Sequence, residues 1–269
     1  ASENLVPVTL ELGGKSPVIL SDTCNIEVSS RRIMAGKTMN AGQICLAPDY
    51  VMLPENKLDS FVSHSKETIN QMFPSIKNND DYTSVINERH YNRLRGYIDE
   101  AKQSGCEVLE INPSDEDFEQ QEHYKIPPTI LINPDDNLSV MQEEIFGPIL
   151  PVKTYKDFSE TISYVNKKER PLGLYYFGED NDELTTVLDK TTSGGVTVND
   201  VIFHVAQDNA PFGGVGPSGI GSYHGVEGFR NFSHEKTIFT QTKMDNLISV
   251  FRPPYGKKAE NALKAQIKK

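Results

Sequence analysis

The chain reads as an α/β domain: a mostly parallel sheet with helices on both faces. Three observations predict it. Short β-branched or aromatic apolar runs recur along the chain, segments of helical period separate them, and no internal repeat divides them. Strands separated by helices imply crossover connections, and crossovers place helices over both faces of a parallel sheet.

Val18-Ile19-Leu20 and Tyr50-Val51-Met52-Leu53 are strand-sized apolar runs of the kind buried on both faces. Residues 26–39, between them, read as a helix of modest periodicity. The segment 57–73 is clearer, with Leu58, Phe61, Val62, Ile69, Met72 and Phe73 on one face, and Pro74 stops it. Tyr91, Leu94, Ile98 and Ala101 repeat that spacing over 88–104, where Gly105 offers the left-handed exit. Strands follow at 106–111, 129–132 and 149–154. The acidic stretch 112–123 between them reads as a surface loop.

Asp157 and Glu160 have capping-box spacing and open a helix to about Lys168. Leu172 to Phe177 is a strand. Asn181 can cap a helix carrying Leu184, Val187 and Leu188, closed by Gly194-Gly195, and Val196-Thr197-Val198 is a further strand. A β-like segment, 236–243, and Pro253-Pro254 precede a charged tail at 257–269, read as solvated.

Composition narrows the function classes. The 269 residues carry 27 Lys and Arg against 38 Asp and Glu, a formal charge of -11. Clustered cations are what nucleic-acid affinity rests on, so no nucleic acid is expected as a partner. No apolar run approaches the roughly 18 residues a membrane-spanning helix needs, and no signal peptide is apparent at the N-terminus. Three cysteines, Cys24, Cys45 and Cys106, suit a reducing compartment rather than a disulfide framework, which predicts a cytoplasmic protein. The six histidines show no ligand spacing and no C-x-x-C occurs, so no metal site is expected.

Among the cysteines, Cys45 has a distinctive setting. It sits in Asn40-Ala41-Gly42-Gln43-Ile44-Cys45-Leu46-Ala47-Pro48, an irregular helix-to-strand connection. Read alone it is either a small buried hydrophobe or a nucleophile. Glu11, in Leu10-Glu11-Leu12-Gly13-Gly14-Lys15, is either a water-activating base or the partner of Lys15 in a surface ion pair. Glu143-Glu144-Ile145-Phe146-Gly147-Pro148 pairs carboxylates with an aromatic and a turn, suited to ribose hydroxyls and a flat ring, or simply to a turn. Gly214-Val215-Gly216-Pro217-Ser218-Gly219 fits G-x-G-x-x-G, but Pro211 and Pro217 spoil the strand-turn-helix context the dinucleotide fingerprint requires. It reads instead as a Gly-rich loop packed near the active crevice.

Together these segments, with Gly195-Val196-Thr197-Val198-Asn199 and Pro211-Phe212-Gly213-Gly214, resemble the aldehyde dehydrogenase superfamily in order and spacing, including the 34-residue step from Glu11 to Cys45. Cys45-Leu46-Ala47-Pro48-Asp49-Tyr50, the run Val198 to His204, and Gly221-Ser222-Tyr223-His224-Gly225 are similar to the class 3 and fatty-aldehyde branch, and within it to its bacterial coniferyl-aldehyde members.

The resemblance implies roles. Cys45 attacks the aldehyde carbon to give a thiohemiacetal and then a thioester, its backbone N–H donates to the oxyanion, and Glu11 activates the hydrolytic water. Glu144 holds the ribose of NAD or NADP, Phe146 packs near the nicotinamide, and Leu12 and Gly13 line it through backbone. Ile202, Phe203, His204 and Phe212 line the aldehyde entrance, with Asn199 beside the site. A homodimer or higher oligomer is implied for the parent enzyme.

The resemblance also implies a division of the chain. Residues 1–13 are the end of a cofactor-binding domain, 14–235 the catalytic domain, 236–256 an oligomerisation arm and 257–269 the tail. The N-terminal cofactor-binding half of the family is absent from these 269 residues, so the chain alone is expected to bind cofactor weakly and turn over little. The rival readings are an acyl-phosphate reductase of related fold, a non-catalytic structural relative, and a Cys hydrolase with a distant His. Glu11 counts against the first, and intact Glu11, Cys45 and Glu144 against the second.

Overall fold

The computed structural model describes residues 1–244 and 251–267. Nine strands and eight α-helices are assigned within them: β1 Leu10–Glu11, β2 Pro17–Leu20, α1 Ile26–Thr38, β3 Tyr50–Pro54, α2 Leu58–Met72, α3 Glu88–Gln103, β4 Glu107–Glu110, β5 Thr129–Ile132, α4 Ser139–Gln142, β6 Ile149–Tyr155, α5 Phe158–Lys167, β7 Gly173–Phe177, α6 Asp182–Lys190, β8 Gly195–Val198, β9 Gly219–Ile220, α7 Gly225–Asn231 and α8 Lys257–Ile267. The chain divides into a unit of Ala1–Phe232 and a unit of Ser233–Lys269.

In the first unit seven strands form one sheet in the order β4-β5-β6-β3-β2-β7-β8. Every neighbouring pair is parallel except β4 with β5. Strand β2, inside the sheet between β3 and β7, alternates its side chains between two cores. Val18 and Leu20 pack with Ile33 and Met34 of α1 and with Phe61 and Ile69 of α2. Ile19 packs with Val165 of α5 and with Leu184 and Val187 of α6. Helices thus cover both faces, and the strand is fully buried because neither face reaches water. β4 is the exception because it is an edge: Glu107 and Glu110 are exposed, and charge on an edge strand discourages further pairing.

The local signals account for the helix starts. The Asn25 and Asn87 side chains accept from the backbone N–H groups of Val28 and His90. Asp157 and Glu160 form a reciprocal capping box, and Asn181 accepts from Glu183 and Leu184. Each such cap contributes about 1 kcal/mol. Leu188 is exposed, so of the three apolar residues of α6 only Leu184 and Val187 belong to the core.

The second unit departs from the expectation. No strand is assigned over 236–243; those residues are exposed, and a strand exists only when a neighbour takes its hydrogen bonds. The tail forms helix α8, with Ala259 buried. The rest of the β-like stretch, 245–250, lies outside the described residues. Among the described residues no helix is long and apolar enough to cross a membrane.

Candidate active site

Cys45 lies on the connection from α1 to β3. After Thr38 the chain takes three successive residues in the left-handed region, Asn40 (φ 50°), Ala41 (φ 51°) and Gly42 (φ 73°). Two non-glycine residues in a row there are costly and persist only when the surroundings over-determine them. Gln43 supplies much of that restraint. Its amide donates to the carbonyls of Asn40 (3.0 Å) and Ser84 (2.9 Å), and its side-chain oxygen accepts from the Ile86 N–H (2.9 Å). Asn40 donates back to the Gln43 carbonyl. Ala41 is fully buried, and a Cβ at Gly42 would collide with the Gly147 carbonyl, so the cysteine loop rests directly on the turn after Glu144. On the far side of Cys45 the Tyr175 hydroxyl donates to the Leu46 carbonyl (2.5 Å).

Two carboxylates face the thiol. Burial, then hydrogen bonding to Glu11, then the charges of Glu11 and Glu144, push Cys45 up to about 12. All three effects favour the protonated thiol. Cys24 and Cys106 are also free thiols raised by burial, but neither has a carboxylate hydrogen-bonded to it.

Glu11 is exposed on β1. That two-residue strand pairs with β9, Leu10 opposite Ile220 and Glu11 opposite Gly219, while the Leu12 N–H donates to the Ser218 carbonyl (3.0 Å). The Gly-rich loop 214–219 therefore buttresses Glu11, as its place near the crevice requires. No ion pair joins Glu11 to Lys15, because the Lys15 ammonium is bonded to Asp49 (2.5 Å) and to the carbonyls of Val140 and Glu143 (both 2.8 Å). Glu11 instead accepts from the Tyr223 hydroxyl at 3.2 Å. Tyr223 is held in turn by paired backbone hydrogen bonds with Phe212 (2.8 Å each) and by edge-on packing of the two rings.

Glu144 is half-buried, pushed up to about 7 chiefly by burial, with the Gly14 N–H and the Lys15 and Lys37 ammoniums opposing that rise. Gly13 has φ 77°, and a Cβ there would stand 2.7 Å from the Glu144 carboxylate. The absence of that Cβ keeps the carboxylate accessible beside a bare backbone. Phe146 is exposed, in the left-handed region at φ 48°. A half-buried carboxylate, a glycine backbone and an exposed aromatic fit a ribose diol and a flat ring.

The expected aldehyde-pocket residues divide. Phe203 is exposed, whereas Ile202 and Phe212 are buried and pack into the main core. Ile202 has φ 67°, a genuine outlier for a β-branched residue. His204 is half-buried behind Phe212 and Tyr175, donating to or accepting from Thr197 at 2.8 Å, and desolvation lowers its pKa. The Asn199 side chain bonds the Gly178 backbone N–H and carbonyl, tying the ends of β7 and β8 together.

Nothing in the sequence singles out Lys37 or Arg93; Gln43, Asp49 and Tyr223 stand there only within motifs, and Lys15 only as a partner for Glu11. Arg93 donates to the Ile145 carbonyl at 2.8 Å. Apart from the local Gln43–Asn40 pair, the partners that matter here lie tens of residues away, where spacing carries no signal.

Comparisons with known proteins bear on the family and the fold. The sequence profile of the aldehyde dehydrogenase family matches residues 1–238. The chain is 58% identical to a probable coniferyl aldehyde dehydrogenase of Caulobacter vibrioides, over 100% of this chain and 56% of that protein. It is 52% identical to a coniferyl aldehyde dehydrogenase of a Pseudomonas species, over 95% and 53%. A substrate-bound structure of Staphylococcus aureus AldH superposes with a TM-score of 0.87 at 39% identity, covering 99% of this chain and 56% of the other. An NADP complex of glyceraldehyde-3-phosphate dehydrogenase from Bacillus halodurans matches with a TM-score of 0.73 at 30% identity, over 83% and 45%. The chain thus spans about half the length of these relatives. Since the profile runs unbroken through Glu11, Cys45 and Glu144, the chain belongs to the aldehyde dehydrogenase family.

Proposed function

We propose that this chain carries the catalytic centre of an NAD- or NADP-dependent enzyme that oxidises an aromatic or long-chain aldehyde, of the coniferyl aldehyde kind, to the acid. The observation that carries the reading is the pairing of one thiol, Cys45, with two carboxylates of unlike surroundings, Glu11 and Glu144.

Glu144, Leu12, Gly13 and Phe146 would hold the nicotinamide ribose end of the cofactor. What a bound nicotinamide supplies is acceptance of a hydride. Cys45 gives up its proton to Glu11 and its sulfur adds to the aldehyde carbon, forming a thiohemiacetal whose oxyanion takes a hydrogen bond from the Cys45 N–H. Glu11, exposed on its strand, passes that proton to solvent and is a carboxylate again. Once the adduct has been oxidised to the thioester, Glu11 takes a proton from water. The resulting hydroxide adds to the acyl carbon, and sulfur leaves as the acid departs. Tyr223 steadies Glu11 through both transfers. Phe203 offers apolar surface to an aromatic substrate.

The division into a cofactor-binding end at 1–13, a catalytic domain at 14–235 and an oligomerisation arm at 236–256 belongs to the same proposal. So does the expectation that the 269 residues alone bind dinucleotide weakly, because the family holds its adenosine end with residues that precede the Glu11 motif. The decisive experiment incubates the active enzyme with coniferyl aldehyde and NAD or NADP, follows reduced nicotinamide at 340 nm, and maps acyl adducts in acid-quenched samples by mass spectrometry. An acyl group on Cys45, with rate and adduct both lost in Cys45→Ala by roughly 10⁴-fold or more, is the expected result. Turnover that survives Cys45→Ala sinks the reading.

A further inference from the structure

Lys37 is buried on the last turn of α1, only 1% exposed, and the catalytic scheme leaves it without a role. Enclosing an ammonium costs several kcal/mol unless opposite charge is close. Here the opposing charges are Asp49 and Glu144. Asp49 is itself buried. One of its oxygens takes the Lys15 ammonium at 2.5 Å and the other accepts from the Ile145 N–H at 2.9 Å. Lys15 also donates to the carbonyls of Val140 and Glu143. The residues on both sides of Glu144 in the chain are therefore fastened to one Lys15–Asp49 pair. The Lys37 backbone lies in the same layer, since a Cβ at Gly42 would touch both its carbonyl and that of Gly147.

We propose that Lys37 and the Lys15–Asp49 pair are positioning residues for Glu144: a buried charge cluster that fixes the 140–147 turn and presents the carboxylate to a vicinal diol. The diol rests on the reading of Glu144 as the ribose anchor; the cluster does not. The groups facing Glu144 are the Gly14 N–H, the Lys15 and Lys37 ammoniums, the Asp49 carboxylate and the Cys45 thiol. The two ammoniums lower Glu144 and the aspartate raises it. Lys15 and Lys37 both lower Glu144, Lys15 the more, and Lys15 is also the one in direct contact with Asp49. Burial lowers Lys37 to about 8, which leaves it charged at neutral pH and ties its protonation to the same cluster.

The test is a carboxyl ¹³C titration of this chain labelled at glutamate, with the Glu144 resonance assigned by its loss in Glu144→Gln. Removing the cation in Lys37→Met is expected to raise the Glu144 midpoint, and removing the opposing anion in Asp49→Asn to lower it by more. The opposite signs separate a charge effect from general loosening, and either variant that folds carries the test. A midpoint that stays put in the folded variant, or moves the same way in both, overturns the proposal. Nicotinamide mononucleotide added to the wild-type and Glu144→Gln chains tests the underlying reading separately. If its binding is indifferent to Glu144→Gln while the midpoints move as expected, the cluster stands and the ribose role falls. If binding is lost in Glu144→Gln but the midpoints do not move, the ribose role stands and the cluster falls.

Discussion

Glu11 and Glu144 carry the same functional group to the same thiol from opposite surroundings. Glu11 is exposed on a two-residue strand, where the Tyr223 hydroxyl donates to it beside the Cys45 thiol. Glu144 is half-buried, and the residues flanking it are clamped by Lys15, Asp49 and Arg93. Burial moves Glu144 to about 7. Two carboxylates in unlike environments divide acid–base work from binding work. A group that must exchange protons with water benefits from access and a light tether. A group that must hold a hydroxyl pair benefits from a rigid, partly desolvated seat.

The comparison breaks most visibly at Glu11. In the active enzyme Glu11→Gln should lower steady-state turnover about 10²- to 10⁴-fold. If proton removal from Cys45 is then met by solvent, a first turnover of reduced nicotinamide persists as a burst while acyl-enzyme accumulates. Rapid-quench measurement checks this, and unaltered steady-state turnover would remove Glu11 from the hydrolytic step.

At Glu144 the expected effect is on stability and depends on pH. A carboxyl raised from 4.5 to about 7 binds its proton more tightly in the folded state than in the unfolded one. Its ionisation therefore costs stability as pH rises from about 4.5 to about 7, and the cost is absent below that window. Glu144→Gln should be no more stable than the wild type at pH 4.5, and about 1–2 kcal/mol more stable relative to it above pH 7, allowing for partial exposure. Urea titrations at the two pH values check the difference. A constant difference would mean that burial of Glu144 is not what raises it.

The smallest effect sharpens the Glu11 side. Tyr223→Phe removes one hydroxyl donor worth about 0.5–1.5 kcal/mol, so turnover should fall roughly 2- to 10-fold with KM for the cofactor unchanged. Parallel loss of cofactor affinity would place Tyr223 with Glu144 rather than Glu11.

Much of this was legible in the residues themselves. The capping box at Asp157, the Asn181 cap, the Pro74 stop and the two-faced apolar strands are local signals, and the elements form where those signals stand. Over 236–243 no strand is assigned in the chain by itself, because a β-like sequence shows only that a strand is possible, not that a partner strand is present. The candidate site was legible as segments, Glu11, Cys45 and Glu144 each within its own motif. Their supports were not. Lys15 was weighed as the partner of Glu11, four residues away, but its ammonium is bonded to Asp49 and to carbonyls more than 120 residues on.

The sequence by itself determined the fold class and the order of the elements, because periodicity and capping are properties of neighbouring residues. Only the tertiary structure decided which carboxylate is exposed and which enclosed, that Tyr223 rather than Lys15 holds Glu11, and that a buried lysine stands in the layer beneath Glu144. Those are matters of dielectric and of contacts closed across the sheet, and both are set by packing between segments that lie far apart in the chain.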